Sequence, residues 1–111
     1  MLSFQRLEVY RRTVQFLSLV LDINGDLPKG HAERADQLGR AAESIARNIA
    51  EAAGRWSKAD SAKHFKIARG EAMECAASLD VMRLRQVVTT ERYERGIQLL
   101  EEIVAMLTKL V

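Results

Sequence analysis

The stretch LGRAAESIARNIAEAAGRW, residues 38–56, decides the fold of this 111-residue chain. Its apolar residues recur at alternating steps of four and three: Leu38, Ala42, Ile45, Ile49, Ala52 and Trp56. This spacing is typical of a helix with a coiled-coil-like seam. Gly54 favours the end of that helix, and Trp56 is predicted to pack at its end. The stretch therefore predicts one long helix that packs lengthwise against others.

Three further segments show the same three-four spacing of apolar residues. Ser57 is a good N-cap for the third helix, and Thr89 or Thr90 for the fourth. Because the connections are short, sequential helices are expected to lie antiparallel. The sequence predicts an all-α, antiparallel, up-down-up-down four-helix bundle that forms a single domain over residues 1–111. Its predicted helices span residues 4–23, 31–55, 58–87 and 90–111.

The turn after the first helix has its own chemistry. Asn24 and Gly25 tolerate the left-handed backbone that closes a helix, so the first helix is predicted to end there. Pro28 then prevents its continuation.

Composition narrows the class of protein. Hydrophobic residues make up 48% of the chain and charged residues 29%, which is typical of a soluble, aliphatic helical domain. No stretch reaches the roughly 18 consecutive apolar residues that span a bilayer, so no membrane partner is expected. Cys75 is the single cysteine and cannot form an internal disulfide, which favours a cytoplasmic location.

The third predicted helix is apolar on two sides that a helical wheel separates by about 200°. One bundle core covers only one of them, so the other side is predicted to contact a second subunit. Gly70 fits this interpretation, because a glycine within a helix suggests the close approach of another backbone. In the alternative, this helix is simply the most buried of the four. The predicted oligomer interface comprises Ile67, Gly70, Ala77, Val81 and Leu84.

Charge is unevenly distributed along the chain. Residues 34–69 hold eight basic and four acidic residues, a net charge of +4, although the whole chain carries only +2. A basic surface that is repeated in an oligomer could bind phosphates. In the alternative these are ordinary solubilising charges, blunted by acidic neighbours on the same helix. The candidate nucleic-acid-binding residues are Arg40, Arg47, Arg55, Lys63, Lys66 and Arg69.

A polar stripe flanks the apolar seam of the second helix. Ser44, Asn48, Glu51 and Arg55 are spaced four, three and four apart, and Glu74 on the third helix is a possible member of the same network. Partly buried polar groups need hydrogen-bond partners. The stripe therefore either fixes the register of neighbouring helices or lines a ligand site, and the structural role is favoured.

Signatures of an enzyme are missing from the sequence. Di-iron bundles use Glu-x-x-His pairs, but Pro28 and Ser61 stand three residues before His31 and His64. Cys75 on an apolar stripe is more typical of a small core residue than of a nucleophile or a zinc ligand. We therefore expect no catalytic residues, no metal and no cofactor.

A family resemblance covers nearly the whole chain. The run RAAESIARNIAE, residues 40–51, with Gly54-Arg55 and Ser57 after it, resembles the signature of the small bacterial four-helix-bundle family also called 23S rRNA intervening-sequence proteins. Further similarity lies at Leu27-Pro28, Phe65, Ile67-Ala68-Arg69-Gly70 and Glu74. The chain departs from the family pattern at Ala52, which replaces a usual glycine, and at Glu71, which replaces a usual serine.

The resemblance implies a bundle that assembles into a ring-like homopentamer. It also implies a role as a basic adaptor for nucleic acid, as in the related accessory proteins of diversity-generating retroelements, and no catalysis. The alternative is a protein-protein assembly module with no nucleic-acid binding. The motif positions carry structural roles under this resemblance: Ser44, Asn48, Glu51, Arg55, Gly70 and Glu74.

Overall fold

The computed structural model describes residues 1–111 and contains four long helices and no strand. A short 3₁₀ turn at Ser3–Arg6 precedes the first helix. Each helix packs against two others, α1 and α3 both contacting α2 and α4, and the molecule measures 45 × 24 × 21 Å. The predicted up-down-up-down bundle is confirmed. The helices are α1 (Glu8–Gly25), α2 (Ala32–Ala53), α3 (Lys58–Leu84) and α4 (Thr90–Leu110).

The predicted N-caps of the last two helices are confirmed. Ser57 Oγ accepts a hydrogen bond from the backbone N–H of Asp60 at 3.1 Å, and Thr89 Oγ1 accepts one from Arg92 at 3.2 Å. Each cap satisfies a backbone donor that has no partner within its helix. These two side chains fix where α3 and α4 begin.

The start of α1 and the end of α3 differ most from the prediction. Residue 4 belongs to the 3₁₀ turn, and Leu7 adopts an extended backbone, so α1 begins only at Glu8. After the end of α3, Gln86 adopts a left-handed φ of +60°. The N–H of Val87 donates to the carbonyl of Met82 at 3.0 Å. This left-handed cap ends α3 at Leu84, three residues before the predicted end.

The turn between α1 and α2 does not use the predicted left-handed closure. Only Gly30 and Gln86 have positive φ, so α1 continues in helical geometry through Gly25. Asn24 has another role: its Nδ2 donates to the carbonyl of Ala35 in α2 at 2.8 Å. This bond ties the end of α1 to the start of α2.

The core is a single cluster of 20 buried apolar residues contributed by all four helices. The α2 seam is buried as predicted from Leu38 to Ala52. Cys75 is fully buried on the inner stripe of α3, as expected for a small core residue. None of the four helices contains an apolar stretch of the length that a membrane span requires.

Trp56 does not pack at the end of α2. Its side chain is fully exposed, with 103% of the reference surface accessible. The prediction is wrong because α2 ends at Ala53, so the helical period that aligned Trp56 with the seam no longer applies at residue 56. The indole stands free in the α2–α3 turn.

Candidate nucleic-acid interface

The three candidate arginines that lie on α2 or in the turn after it are exposed, but each is paired. Arg40 lies 3.5 Å from Asp36, Arg47 lies 3.7 Å from Glu43, and Arg55 donates to Glu51 at 2.9 Å. Every partner is a carboxylate one helical turn earlier. The outer face of α2 is therefore a row of alternating charge, and its positive field is weakened by these neighbours.

The candidate residues of α3 are different. Lys63 and Lys66 are exposed, and neither makes an ion pair; nor does Lys58 at the first position of the helix. Arg69 donates from Nε to Thr108 Oγ1 of α4 at 2.9 Å, a bond that leaves its charge uncompensated. The unpaired cations therefore lie together on the first half of α3.

The charge surplus of the chain coincides with this part of the structure. Residues 34–51 hold three basic and three acidic residues and sum to zero. Residues 52–69 hold five basic residues and one acidic residue, a net charge of +4, so the rest of the chain carries −2. We call residues 52–69 the basic segment. It comprises the end of α2, the exposed turn with Trp56, and the first half of α3.

The polar stripe of α2 is used in contacts between helices. Asn48 Nδ2 donates to the carbonyl of Ser44 at 2.9 Å and to its hydroxyl at 3.1 Å. Asn48 Oδ1 lies 3.3 Å from Nδ1 of His64, which connects α2 to α3. Ser61 adds a second connection, because its Oγ donates to the carbonyl of Ala52 at 2.7 Å. These bonds hold the first half of α3 against α2 and so position the lysines.

Glu74 does not join this network. Its carboxyl lies beside that of Glu71, which is one turn earlier on α3. Burial of Glu71 and the nearby Glu74 carboxyl both raise the pKa of Glu71. Cys75 is adjacent, and burial with the two carboxyls raises the pKa of its thiol to about 12. No group of three or more His, Cys, Asp or Glu side chains is placed to hold a metal ion.

The second apolar side of α3 is exposed to solvent in the single chain. The exposed fractions are 40% for Ile67, 44% for Val81 and 84% for Leu84. A methyl group built on Gly70 would meet no atom within 4 Å. We call this face the α3 outer seam; its members are Ile67, Gly70, Glu74, Ala77, Val81 and Leu84, at alternating steps of three and four. Val88, the next residue in that series, lies outside the helix.

The candidate residues predicted from the sequence omit Lys58, and Trp56 is the only candidate there for stacking on nucleic acid, with packing at the helix end favoured. Lys58 counted only as one charge of residues 34–69, although the predicted Ser57 cap already put it at the first position of α3. The sequence signal for the exposure of Trp56 was Gly54 two residues earlier, because a turn after a helix end leaves an aromatic side chain in solvent.

Comparison with known proteins supplies the family. The model of the 23S rRNA-intervening sequence protein family matches residues 5–109. The chain belongs to this family. No curated protein matches it. Among solved structures, this chain is similar to a protein of unknown function from the S23 ribosomal protein family of Bacteroides thetaiotaomicron VPI-5482. That structure has 27% sequence identity and a TM-score of 0.84, over 92% of this chain and 96% of the other.

Proposed function

We propose that this protein is a non-enzymatic adaptor that assembles into a homo-oligomer and binds nucleic acid through a basic surface. The observation that carries the proposal is the cluster of unpaired cations on the first half of α3. The resemblance to the family favours a pentamer, and a single buried cysteine is compatible with a reducing cytoplasm.

Phosphate recognition follows from the contrast between α2 and α3. A cation that is already paired with a carboxylate has to break that pair before it meets a phosphate. Lys58, Lys63 and Lys66 have no such pair and span about 12 Å along the axis of α3 at 1.5 Å per residue. Repetition of this patch by the symmetry of an oligomer would multiply the number of phosphates that bind together.

The first test is the affinity of a labelled structured RNA, measured by fluorescence anisotropy at several salt concentrations. The expected result is binding whose logarithm falls steeply with the logarithm of salt, because several counterions are released together. Binding that is absent even at low salt would overturn the nucleic-acid role.

Charge reversal locates the surface. The double variant Lys63→Glu/Lys66→Glu should weaken binding more than Arg40→Glu/Arg47→Glu, because the α3 lysines are the unpaired cations. Lys29→Glu/Arg85→Glu is the matched control, since both residues are exposed, make no ion pair and lie at the opposite end of the bundle. Equal effects of all three double variants would mean that binding depends on net charge alone.

Assembly is supported by the α3 outer seam. An apolar face with heptad-like spacing on a charged protein is typical of a helix contact surface. Gly70 is the critical position, because a glycine in mid-helix costs about 1 kcal/mol relative to alanine and nothing within the chain requires one there. A neighbouring subunit that approaches closely would provide the reason.

Gly70→Ala tests this assembly directly. The variant should fold more stably as a monomer but associate at least tenfold more weakly, as measured by sedimentation velocity over a range of concentrations. Gly25→Ala is the matched control, because its added methyl group also meets no atom within 4 Å and it lies far from the seam. A wild-type protein that stays monomeric at all concentrations would contradict the proposal.

The second candidate function is a protein-protein assembly module with no nucleic-acid binding. It is favoured by the exposed apolar residues of the α3 outer seam beside the alternating charges of α2. It predicts concentration-dependent assembly together with no salt-dependent binding of RNA. The anisotropy titration therefore separates the two functions.

A further inference from the structure

Trp56 is the single tryptophan of the chain and contributes nothing to the core. Tryptophan is highly buried on average in folded proteins, since its large aromatic surface is costly to leave in water. Here the indole is fully exposed in the short turn between α2 and α3, so both ring faces are open to solvent. A fully exposed indole therefore has no role in the stability of the single chain.

The surroundings of Trp56 are cationic. Lys58 follows two residues later, and Lys63 lies about 7.5 Å further along α3 at 1.5 Å per residue. Arg55 precedes the indole, but its charge is paired with Glu51 at 2.9 Å. Asp60 is the only acidic residue of the basic segment, and its backbone N–H is engaged by the Ser57 cap. The positive end of the α3 helix dipole adds to the same field. The exposed aromatic plane thus lies immediately before the unpaired cations of α3.

This combination matches one class of partner. Proteins that hold unpaired nucleotides combine cations that follow the phosphate backbone with aromatic rings on which bases stack. A protein partner of complementary charge would need an acidic groove around an aromatic pocket, whereas a nucleic-acid strand supplies negative charge and planar rings at every nucleotide. Charge complementarity therefore favours the strand.

We infer that Trp56 is a stacking platform for an unpaired base of a bound nucleic acid, with Lys58 and Lys63 neutralising the adjacent phosphates. The inference rests on the proposed nucleic-acid function and adds a preference for an unpaired element, such as a loop or a bulge. A fully paired duplex offers no free base face and would be held by phosphate contacts alone.

The test compares two labelled RNAs with the same stem: a hairpin with an unpaired loop and a fully paired duplex. Trp56→Ala should weaken hairpin binding about 5- to 100-fold, the range of one lost base-aromatic stack. Its effect on the duplex should be less than about twofold, because phosphate contacts remain. Trp56→Phe should recover most of the hairpin affinity. Leu21→Ala is the control, since this residue is 73% exposed on α1 and lies away from the basic segment.

A hairpin with abasic loop nucleotides completes the design. Removing the loop bases should weaken wild-type binding and abolish the effect of Trp56→Ala. If Trp56→Ala weakens hairpin and duplex equally, or neither, the stacking inference fails, while sensitivity to Lys63→Glu/Lys66→Glu would still support the nucleic-acid function. If the wild-type protein binds neither RNA at low salt, both proposals fail. If Trp56→Ala dissociates the oligomer and leaves RNA binding unchanged, the indole is a subunit contact and the inference is overturned.

Discussion

Cys75 illustrates how a residue's environment decides its chemistry. It is fully buried in the inner stripe of α3, and burial beside Glu71 and Glu74 raises the pKa of its thiol to about 12. Only the thiolate reacts with alkylating agents, and the native fold disfavours it both by the raised pKa and by exclusion of the reagent.

We predict that native Cys75 reacts with iodoacetamide at pH 8 at least 100-fold more slowly than the same thiol in urea-unfolded protein. Mass spectrometry of timed, quenched samples measures the two rates. A core-destabilising variant such as Leu79→Ala should accelerate the native reaction, because opening of the fold becomes more frequent. Rapid labelling of folded wild-type protein would contradict the assigned burial.

Glu71 gives a prediction for pH. Burial and the neighbouring Glu74 carboxyl raise its pKa in the folded protein above the ordinary value of 4.5. The folded state therefore binds this proton more tightly than the unfolded state does. Its contribution to stability is fully present below about pH 4.5 and is lost as the pH rises through the raised pKa.

Glu71→Gln should therefore stabilise the protein at pH 7, because it removes a carboxylate that the fold disfavours. The gain should shrink as the pH falls toward 4.5. Urea unfolding at several pH values measures the difference between variant and wild type. Glu94→Gln serves as the control, since it removes the same charge from an exposed position on α4. A destabilised Glu71→Gln at pH 7 would show that the carboxylate is favourable in the fold.

At the residue scale, the apolar period predicted burial correctly for the α2 seam and for Cys75, but not for Leu21, which lies within α1 and is 73% exposed. Cys75 was assigned to the core from the stripe alone, and the structure confirms it. Trp56 was misplaced because its assignment extended the α2 period past the last helical residue. A residue beyond the end of a helix belongs to no helix face, so the apolar period cannot predict which way its side chain points.

At the scale of the elements, a strained residue lies two positions after the end of α3. Gln86 holds a left-handed φ of +60°, a conformation that costs a residue with a side chain roughly 1–2 kcal/mol. Glycine adopts it without that cost, although it loses more conformational freedom on folding.

Gln86→Gly should raise the free energy of unfolding by about 0.5–1 kcal/mol, because the relieved strain exceeds the added entropy cost. Thermal unfolding followed by circular dichroism should show an increase of a few degrees. Arg85→Gly is the paired comparison and should lower stability, since Arg85 has right-handed geometry that gains nothing from glycine. A decrease for Gln86→Gly would mean that the side chain makes a favourable contact in solution.

The starts of α3 and α4 were easier to predict than the end of α3. Ser57 and Thr89 carry the side-chain oxygens that cap a helix, so their sequence positions fix the starts of α3 and α4. Gln86 has no such signature, because glutamine rarely adopts the left-handed geometry. Asn24 and Gly25 match the signature of a left-handed helix end, but neither has a positive φ, and the Asn24 side chain bonds to Ala35 instead.

At the scale of the whole molecule, the fold depends on its aliphatic core and little on its charges. Of the six ion pairs, only Arg12–Glu102 joins two half-buried side chains. Exposed pairs contribute about 0–1 kcal/mol each and are screened by salt.

Raising the NaCl concentration from about 50 to 500 mM should therefore change the free energy of unfolding by less than about 1 kcal/mol. Urea unfolding at both concentrations measures it. Over the same range RNA affinity should fall by orders of magnitude, because counterion release depends on salt. Parallel losses of stability and binding would indicate that the affinity change reflects unfolding.

The bundle and the exposed second side of α3 were predictable because both follow from the apolar period of one chain. The pairing of charges was not. Arg40 and Lys63 contribute equally to a charge count, yet Arg40 pairs with Asp36 one turn earlier and Lys63 makes no ion pair. The location of the basic surface therefore required side-chain geometry, which moved its centre from α2 to α3.

The solvation of Trp56 also determines how the protein will behave in a fluorimeter. An indole already surrounded by water in the native state emits like free tryptophan, so denaturation will hardly shift its emission maximum. With one tryptophan in the chain, that emission has a single origin. Intrinsic fluorescence will then change little when the protein unfolds. Quenching or a blue shift on adding a ligand will report directly on the α2–α3 turn.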